Sequence, residues 1–503
     1  MSHWIIAPVL LPAIFGALIV LAMRNDLLLQ RVFGVAGTVL LNGVTLALLW
    51  AAASNPPEAY FLGDWPAPFG IVLVLDRLAA ILLVLTSVLA LIVQLYAIGS
   101  GWDARGRHFH ALLQFQLMGL CGAFLTGDAF NLFVFFEVLL IASYGLMIHS
   151  GGRTRLRAGV QYVAFNLVGS TLFLFALATI YSVTGTLNMA DLAVKVAMLP
   201  EGDAALLRVG AVLLLLVFAI KGALVPLHFW LPGTYAEAPG PVAALFAVMT
   251  KVGAYAVIRC YTLIFPPSVS ATGTMFADLL LPAALVTLGI GALGVLGSRR
   301  LLRMVAFAAI ASMGTLFIAI AQFTPAGITA ALYYLLHSTL ATALMFLVAD
   351  LVAARRANDD LSTAQPPIAQ AGVIAALFFA AAIALSGMPP LSGFLGKLLI
   401  LDASQGMAGL VWTIVLVTSL VTILGLSRAG SLLFWKATTL PPAPHEAKPP
   451  AHALTFVAAF GLLGLLVLLT LLAGPVTDFL ADTAAGLFDP VPYVAANRLA
   501  VSG

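Results

Sequence analysis

Four ionisable side chains lie inside long apolar runs of this 503-residue chain: Glu137, Lys221, Lys251 and Lys397. An ionised group in such surroundings costs a few kcal/mol or more within a membrane, so each one is a candidate functional residue. A carboxylate that approaches or leaves a buried lysine changes the affinity of that lysine for its proton. One acid and three bases of this kind therefore predict a relay that carries protons.

Two histidines and a tyrosine extend the set of relay candidates. His228 and His337 are included because histidine titrates near neutral pH. Lys251, Tyr255 and Arg259 recur at positions i, i+4 and i+8, so they share one face of a helix. Such a stripe is suited to order a line of water, which makes Tyr255 a candidate as well.

Structural roles also fit several of these residues and remain open. Glu137 and Lys221 fit an ion pair that only locks two helices together. A lone histidine such as His228 or His337 is commonly hydrogen-bonded inside a helical bundle. Arg259 fits a side chain that extends toward the membrane interface.

Other charged residues have weaker claims on function. Asp350 and Asp402 lie near the ends of apolar segments, where exposure to water is the expectation. Asp76 and Arg77 are adjacent, so they point to different faces of a helix and are not expected to pair with each other.

The composition excludes a water-soluble enzyme. Hydrophobic residues make up 62% of the chain and charged residues 9%, against roughly 45–50% and about 25% in soluble domains. A net charge of +3 is too small for a nucleic-acid-binding surface. Cys121 and Cys260 both lie in apolar runs, and no metal-ligand cluster or nucleotide-binding glycine motif is present, so no cofactor is expected and a metal site is undetermined.

Spanning a bilayer takes about 20 mostly apolar helical residues, and fourteen segments meet that requirement. They lie at about 4–23, 31–53, 71–98, 109–126, 129–149, 158–184, 205–232, 240–262, 276–297, 301–322, 327–352, 367–402, 408–435 and 453–473. The twelfth contains Pro389-Pro390 and cannot be one plain helix. Together with Pro226 in the seventh, this break suggests an internal repeat. We expect a single polytopic domain over residues 1–503, with a tail at 474–503 that holds at most an amphipathic piece around 476–488.

The distribution of positive charge predicts the orientation, because Lys and Arg favour loops on the cytoplasmic side. Alternate loops carry most of the basic residues: Arg24, Arg31, Arg105, Arg107, Arg153, Arg155, Arg157, Arg299, Arg300, Arg303, Arg355, Arg356, Lys436 and Lys448. The opposite loops and the tail hold only Lys195, Arg208 and Arg498. Both termini are therefore predicted to lie outside the cytoplasm.

The stretch from Lys221 to Arg259, with Lys-Gly-Ala-Leu-Val-Pro-Leu-His-Phe-Trp-Leu-Pro and then Thr-Lys-Val-Gly-Ala-Tyr, resembles a known signature. It is similar to the antiporter-like proton-channel subunits, which include the large membrane-arm subunits of respiratory complex I and the A-type and D-type subunits of the multisubunit cation/proton antiporters (Mrp, Mnh or Pha). The resemblance covers about residues 70–435. Length, the fourteen segments and Lys397 are most similar to the D-type antiporter subunits.

The resemblance implies a fold and a role for individual residues. The fold would be all-α and membrane-integral, with about 14 transmembrane helices in two inverted repeats whose seventh and twelfth helices are broken. Glu137 matches the acid of the fifth helix, Lys221 and Lys397 the lysines of the broken helices, Lys251 the linking lysine, and His337 the histidine of the eleventh helix. In the family these groups form a hydrated polar axis.

One position departs from the family pattern. Many members carry a lysine about one turn after the histidine, where this chain has Thr342. A threonine can hold a water molecule but cannot hold a charge. The link between the two halves then falls more heavily on His337.

The resemblance implies a secondary transporter subunit rather than an enzyme: a proton-translocating subunit of a multisubunit Na⁺(K⁺)/H⁺ antiporter in a bacterial inner membrane. Its partners would be the other membrane subunits, H⁺, and Na⁺ or K⁺. The first alternative is a proton-pumping subunit of a complex I-like or hydrogenase-type redox complex. The second is a subunit that only scaffolds a transport complex.

Overall fold

A computed structural model describes residues 2–200, 202, 204–356, 358–441 and 452–498. Lys448 and the last five residues of the predicted tail lie outside the described residues.

The described chain is almost entirely helical. Its α-helices are α1 Ala7–Ala22, α2 Leu27–Ser54, α3 Arg77–Ser100, α4 Phe109–Leu125, α5 Ala129–Met147, α6 Arg153–Thr184, α7 Met189–Met198, α8 Ala205–Lys221, α9 Trp230–Glu237, α10 Gly240–Leu263, α11 Met275–Gly297, α12 Leu301–Ile320, α13 Pro325–Arg356, α14 Ala371–Ser386, α15 Ser392–Ala403, α16 Ala408–Gly430, α17 Ala453–Leu471, α18 Ala473–Leu487 and α19 Val491–Ala496. The strands are β1 Glu58–Phe61 and β2 Val72–Leu75.

Each of the fourteen predicted segments contains a helix. Within the described residues, ten helices are long and apolar enough to span a membrane, and α1, α4 and α14 are shorter apolar helices. The remaining segment is the broken pair α8 and α9. The twelfth segment is also broken, into α14 and α15, and α18 covers the predicted amphipathic piece of the tail.

The chain contains two successive groups of helices, here called units, in which the same kinds of helix occur in the same order. Each has two packed helices (α4 and α5, then α11 and α12), a helix of 32 residues (α6, then α13), a broken helix, and a final straight helix (α10, then α16). Five crossings are an odd number, so the second unit starts from the opposite side of the membrane to the first. This is the inverted repeat expected for the fold class.

The start of the third predicted segment is a strand and not a helix, which corrects the sequence prediction. β2 pairs antiparallel with β1, with Glu58 opposite Leu75 and Phe61 opposite Val72. Both strands lie outside the spanning helices, where the backbone N–H and C=O groups of a two-stranded hairpin can form hydrogen bonds with each other and with water. We call the membrane side that carries this hairpin the hairpin face.

The basic loops converge on the opposite side, which we call the basic face. Arg31 near the start of α2 forms an ion pair of 2.6 Å with Asp103 between α3 and α4. Arg300 before α12 pairs with Glu237 at the end of α9 and with Asp359 after α13. Loops that alternate in the sequence therefore meet in space, as alternate crossing of a membrane requires.

Asp350 on this face corrects a second expectation. It is only 7% exposed, although its position near the end of α13 predicted exposure to water. The Tyr96 hydroxyl donates to its carboxylate at 2.8 Å, and Trp102 Nε1 donates at 3.1 Å. Neither donor is close in sequence, so tertiary packing against α3, Trp102 and the start of α10 buries this residue. Asp402 is exposed, as expected.

Asp103 holds the basic face together, and its removal provides a test. Burial by itself raises the pKa of Asp103, but hydrogen bonds from His110 and Arg31 outweigh it and lower the pKa to about 2. The folded value lies below the value of about 3.9 for an unfolded aspartate. Its stabilising effect is therefore complete above about pH 4 and is lost as the pH falls toward 2.

We expect Asp103→Asn to lower the free energy of unfolding by on the order of 2 kcal/mol, because charge-assisted hydrogen bonds to Arg31 and His110 are lost. The thermal unfolding midpoint of the detergent-solubilised protein at pH 7 measures this. Asp64→Asn is the matched control, since Asp64 is 89% exposed and 3.9 Å from Arg498. An equal midpoint for both variants would contradict the assignment.

Candidate functional site

The first group of relay candidates lies where α5, α6 and α8 meet. Glu137 on α5 accepts a very short hydrogen bond from the Ser170 hydroxyl of α6. One turn away on the same helix, Asn166 Oδ1 accepts a bond of 2.9 Å from Lys221 Nζ. Ser170 also donates to the Asn166 carbonyl oxygen at 3.0 Å. Two neutral polar residues of α6 therefore stand between the acid and the lysine.

The predicted alternative of a direct ion pair is not what the described residues form. No contact within 4.0 Å joins the Glu137 carboxylate to the Lys221 ammonium, although the two are close enough to interact electrostatically. A cavity of about 20 Å³ beside Lys221 is lined by Tyr162, Asn166 and Trp230, among others. That is room for about one water molecule.

The break between α8 and α9 places Lys221 at the last residue of a half-helix. The carbonyl oxygen of Ile220, in the last turn of α8, accepts the Ala223 backbone N–H at 3.1 Å and Trp230 Nε1 at 3.0 Å. The helix dipole leaves partial negative charge at such an end, which favours a cation there. The break thus creates a site for an ammonium group inside the membrane.

Lys397 occupies the equivalent break in the second unit. Its Nζ donates to the carbonyl oxygen of Ser386, the last residue of α14, at 2.7 Å, and to Ser419 Oγ on α16 at 2.8 Å. A cavity of about 10 Å³ is lined by Lys397, Ser419, Tyr334 and others. Both broken helices therefore present a C-terminal end to a lysine, from α8 in one unit and from α14 in the other.

Lys251 lies on α10, which packs against the first break, and His337 lies on α13 beside the second. Lys251 is 1% exposed on α10, and its Nζ lies 3.3 Å from the Met313 sulfur on α12. His337 Nδ1 is 2.9 Å from the Ser392 hydroxyl at the start of α15. The His337 ring interacts electrostatically with both Lys251 and Lys397. The structure thus brings these three candidates into one region.

Three other candidates contribute less to this arrangement. The hydroxyl of Tyr255 donates to the Phe124 carbonyl oxygen at 2.7 Å. His228 lies in the break after α8 and stacks near Phe229, and its Nδ1 has no protein partner among the described residues. The buried Thr342 hydroxyl has none either. Thr342 thus places an uncharged hydroxyl at this position.

Sequence reasoning missed the residues that connect the candidates. Asn166 and Ser170 lie at i and i+4 in the apolar run of α6, and their polarity and shared helix face were the available signal. Ser392 and Ser419 gave no such signal, because serines are frequent where membrane helices pack.

The position of Arg259 bears on the alternative that its side chain extends toward the membrane interface. Arg259 is 2% exposed and does not extend to the interface. Its guanidinium forms a two-point ion pair with Asp76, at 2.5 and 2.7 Å. Asp76 and Arg77 do not pair with each other, as expected, but the true partner of Asp76 lies 183 residues further along the chain.

The fold and the buried lysines define a class: polytopic membrane subunits built from inverted repeats with broken helices. A family described as "NADH:quinone oxidoreductase/Mrp antiporter, TM" matches residues 126–424. The chain belongs to this family.

Individual relatives agree with that assignment. The chain is 37% identical to the D-type Na⁺/H⁺ antiporter subunit of Bacillus subtilis, covering 99% of both proteins. It is 36% identical to a probable D-type K⁺/H⁺ antiporter subunit of Rhizobium meliloti, covering 98% of this chain and 97% of that one.

Among solved structures, a chain of the Mrp complex from Dietzia sp. superposes with a TM-score of 0.89 and 27% identity, over 99% of this chain and 100% of that one. A chain of an archaeal membrane-bound sulfane sulfur reductase superposes with a TM-score of 0.88 and 25% identity, with the same coverage.

Gly253 tests how closely α10 must approach the first break. A Cβ atom at Gly253 would lie 2.7 Å from the Gly222 nitrogen and 2.8 Å from the Phe218 carbonyl oxygen. We expect Gly253→Ala to push α10 away from Lys221 and to lower the free energy of unfolding by about 1–3 kcal/mol, as overpacking does.

The thermal unfolding midpoint of the solubilised protein measures this effect. Gly289→Ala on α11 is the matched control, because a Cβ atom there meets no atom within 4 Å. A native midpoint for Gly253→Ala would show that α10 does not depend on this contact.

Proposed function

We propose that this chain is the proton-translocating subunit of a multisubunit Na⁺(K⁺)/H⁺ antiporter. The observation that carries the proposal is the placement of two lysines, Lys221 buried and Lys397 partly buried, at the helix breaks of two inverted units. Lys251 and His337 lie on helices that pack against these breaks. Relatives over the whole chain are named as D-type subunits of Na⁺/H⁺ or K⁺/H⁺ antiporters. Both lines of support point to the same transport class.

The relay would run along the membrane plane through protonatable groups and polar bridges. On the first side Glu137 and Lys221 communicate through Ser170 and Asn166. A proton bound by Lys221 would pass toward Lys251, while water in the small cavities bridges the remaining gaps. Thr342 and His228 would hold such waters rather than carry charge.

The proton gradient would drive this transport. Moving one elementary charge through 100 mV is worth about 2.3 kcal/mol, and one tenfold step in proton affinity corresponds to about 1.4 kcal/mol. A change in distance between a lysine and a carboxylate is enough to shift affinity by that amount. Small movements at the helix breaks could therefore gate the current.

The basic face would lie in the cytoplasm, since basic loops favour that side. The hairpin face would then lie outside the cytoplasm together with both termini. A multi-pass protein with bacterial relatives of this kind fits the inner membrane of a bacterial cell.

A neighbouring membrane subunit would cover Glu137. Phe130, Val134, Glu137 and Ile141 follow each other at helical spacing on α5, and the three apolar members are 49%, 37% and 66% exposed. A half-buried carboxylate on such a stripe would face lipid in the isolated chain, which membranes rarely tolerate. Contact with a partner subunit would remove that cost and extend the relay.

A redox-coupled proton pump is the second candidate, favoured by the close superposition on a chain of an archaeal respiratory membrane complex. Neighbouring genes discriminate between the two. Small membrane subunits next to this gene support the antiporter, whereas iron–sulfur and quinone-site subunits support the pump.

Cation-dependent proton movement in inverted vesicles that contain the whole complex tests the proposal. We expect Lys221→Ala and Lys397→Ala to lower the exchange rate at least about tenfold, because loss of a proton-transfer group typically costs that much or more. A fluorescent pH probe reports the response to added Na⁺ or K⁺.

Lys195→Ala is the matched control, since Lys195 on α7 pairs with Asp191 at 3.0 Å and its side chain is 42% exposed. It should exchange at the native rate. Native rates for Lys221→Ala and Lys397→Ala in a fully assembled complex would instead support a scaffolding subunit.

A further inference from the structure

A cavity of about 450 Å³ opens on the hairpin face, and we call it the outer vestibule. The ends of α2 and α10, the start of α3, and the C-terminal helices α18 and α19 surround it. Its charged lining consists of Asp76, Arg77, Arg259, Asp482 and Asp489. Water in this cavity therefore meets both carboxylates and guanidinium groups.

Two ion pairs in the vestibule differ sharply in burial. The Asp76 and Arg259 side chains are only 10% and 3% exposed and form two short contacts. Arg77 and Asp482 are 33% and 74% exposed, with a single contact of 3.5 Å. Exposed pairs of the second kind contribute little, whereas a buried, two-point pair is a specific feature of this site.

The buried pair lies at the outer end of the stripe formed by Lys251, Tyr255 and Arg259 on α10. Arg259 Nε lies 3.4 Å from the Tyr255 hydroxyl. Lys251 lies eight residues before Arg259, about 12 Å deeper at 1.5 Å per residue. The stripe therefore runs along α10 from the vestibule toward Lys251.

The other groups around Arg259 are aromatic or neutral. The Tyr493 ring of α19 lies 5.2 Å from the guanidinium, and its buried hydroxyl has no protein partner among the described residues. Asp76 Oδ1 also accepts the backbone N–H of Ala79 at 2.9 Å, which caps α3. Both Asp76 oxygens therefore accept donors within the protein, and Asp76 is the carboxylate at the inner wall of the vestibule.

We propose that Asp76 and Arg259 form the outer access site of the proton pathway and that the α10 stripe connects this site to Lys251. This inference rests on the proposed transport function and adds a route between the relay and the outer face. Arg259 keeps its charge at all relevant pH values. That charge repels Na⁺ and K⁺ while Asp76 still offers an oxygen that binds a proton.

The transfer returns Asp76 and Tyr255 to their starting states and moves one proton to Lys251. A hydronium ion in the vestibule gives a proton to an Asp76 oxygen, forming an O–H bond and leaving water. That bond breaks when the proton moves inward, and Asp76 returns to the carboxylate. The Tyr255 hydroxyl donates to the Phe124 carbonyl oxygen at rest, so it must turn from that acceptor to take up one proton and release its own to the neutral Lys251 amine, which becomes an ammonium group.

The test compares Asp76→Asn with Asp482→Asn in inverted vesicles that contain the whole complex. Asparagine caps a helix as well as aspartate does, so Asp76→Asn keeps the start of α3 but loses the proton-binding oxygen. We expect its cation-dependent exchange rate to fall at least about tenfold, while Asp482→Asn stays within about twofold of native. Native exchange in Asp76→Asn would overturn the inference.

The double variant Asp76→Asn with Arg259→Gln separates transport from structure. If the pair only stabilises the fold, two neutral hydrogen-bonding residues should restore exchange, and that result would overturn the inference. If Asp76 binds the transported proton, the double variant should remain as slow as the single one. Native gel electrophoresis of the solubilised membranes establishes that the complexes assemble.

Tyr255→Phe provides a second route to the answer if the Asp76 variants fail to assemble. This substitution removes one hydroxyl and keeps the ring. We expect it to lower the exchange rate several-fold. A native exchange rate would contradict the route along α10. An inactive native complex would instead reject the proposed function itself.

Discussion

The bilayer's inability to solvate charge is the constraint on which this structure depends. Hydrocarbon offers no hydrogen-bond partners to backbone groups or ionised side chains, so every buried charge must find them within the protein. Lys221 finds its partner in the side-chain oxygen of Asn166 on α6. Lys397 finds its partners in the carbonyl oxygen of Ser386 at the end of α14 and in the hydroxyl of Ser419. Polar partners on neighbouring helices and at a helix end are therefore what permits lysines at these depths.

The two broken helices solve the same problem with different partners. At the first break the Ile220 carbonyl oxygen accepts from the Trp230 indole, and Lys221 turns to the Asn166 amide. At the second break Lys397 itself binds the carbonyl oxygen of Ser386. Inverted repeats thus preserve the position of the ammonium group, while the local chemistry around it has diverged.

Away from the two breaks, ion pairs between polar side chains join helices on the two membrane faces of the bundle. The basic face is joined by ion pairs such as Arg31 with Asp103, which connect loops that alternate in the sequence. The hairpin face is joined by Asp76 and Arg259, which connect α3 with α10. Both pairs tie together helices that are distant in the chain, so they stabilise the tertiary arrangement rather than any single helix.

Family membership and side-chain geometry answer different questions. Similarity over the whole chain establishes the architecture, including the order of spans and the two units. It does not determine the surroundings of Thr342 in this chain, or which side chains lie between Glu137 and Lys221. Those features depend on residues such as Asn166 and Ser170, whose roles arise from their positions in the packed bundle.

The sequence by itself determined the membrane class, the fourteen spans, both helix breaks and the buried ionisable residues, because hydrophobic length and proline position are local properties. Only the tertiary structure decided the partners. Asp350 was expected to be exposed and is buried against Tyr96 and Trp102, and Asp76 binds Arg259. A hydrogen bond or ion pair between distant helices depends on the orientation of each helix about its axis and on how the helices pack. Local sequence properties do not specify that geometry.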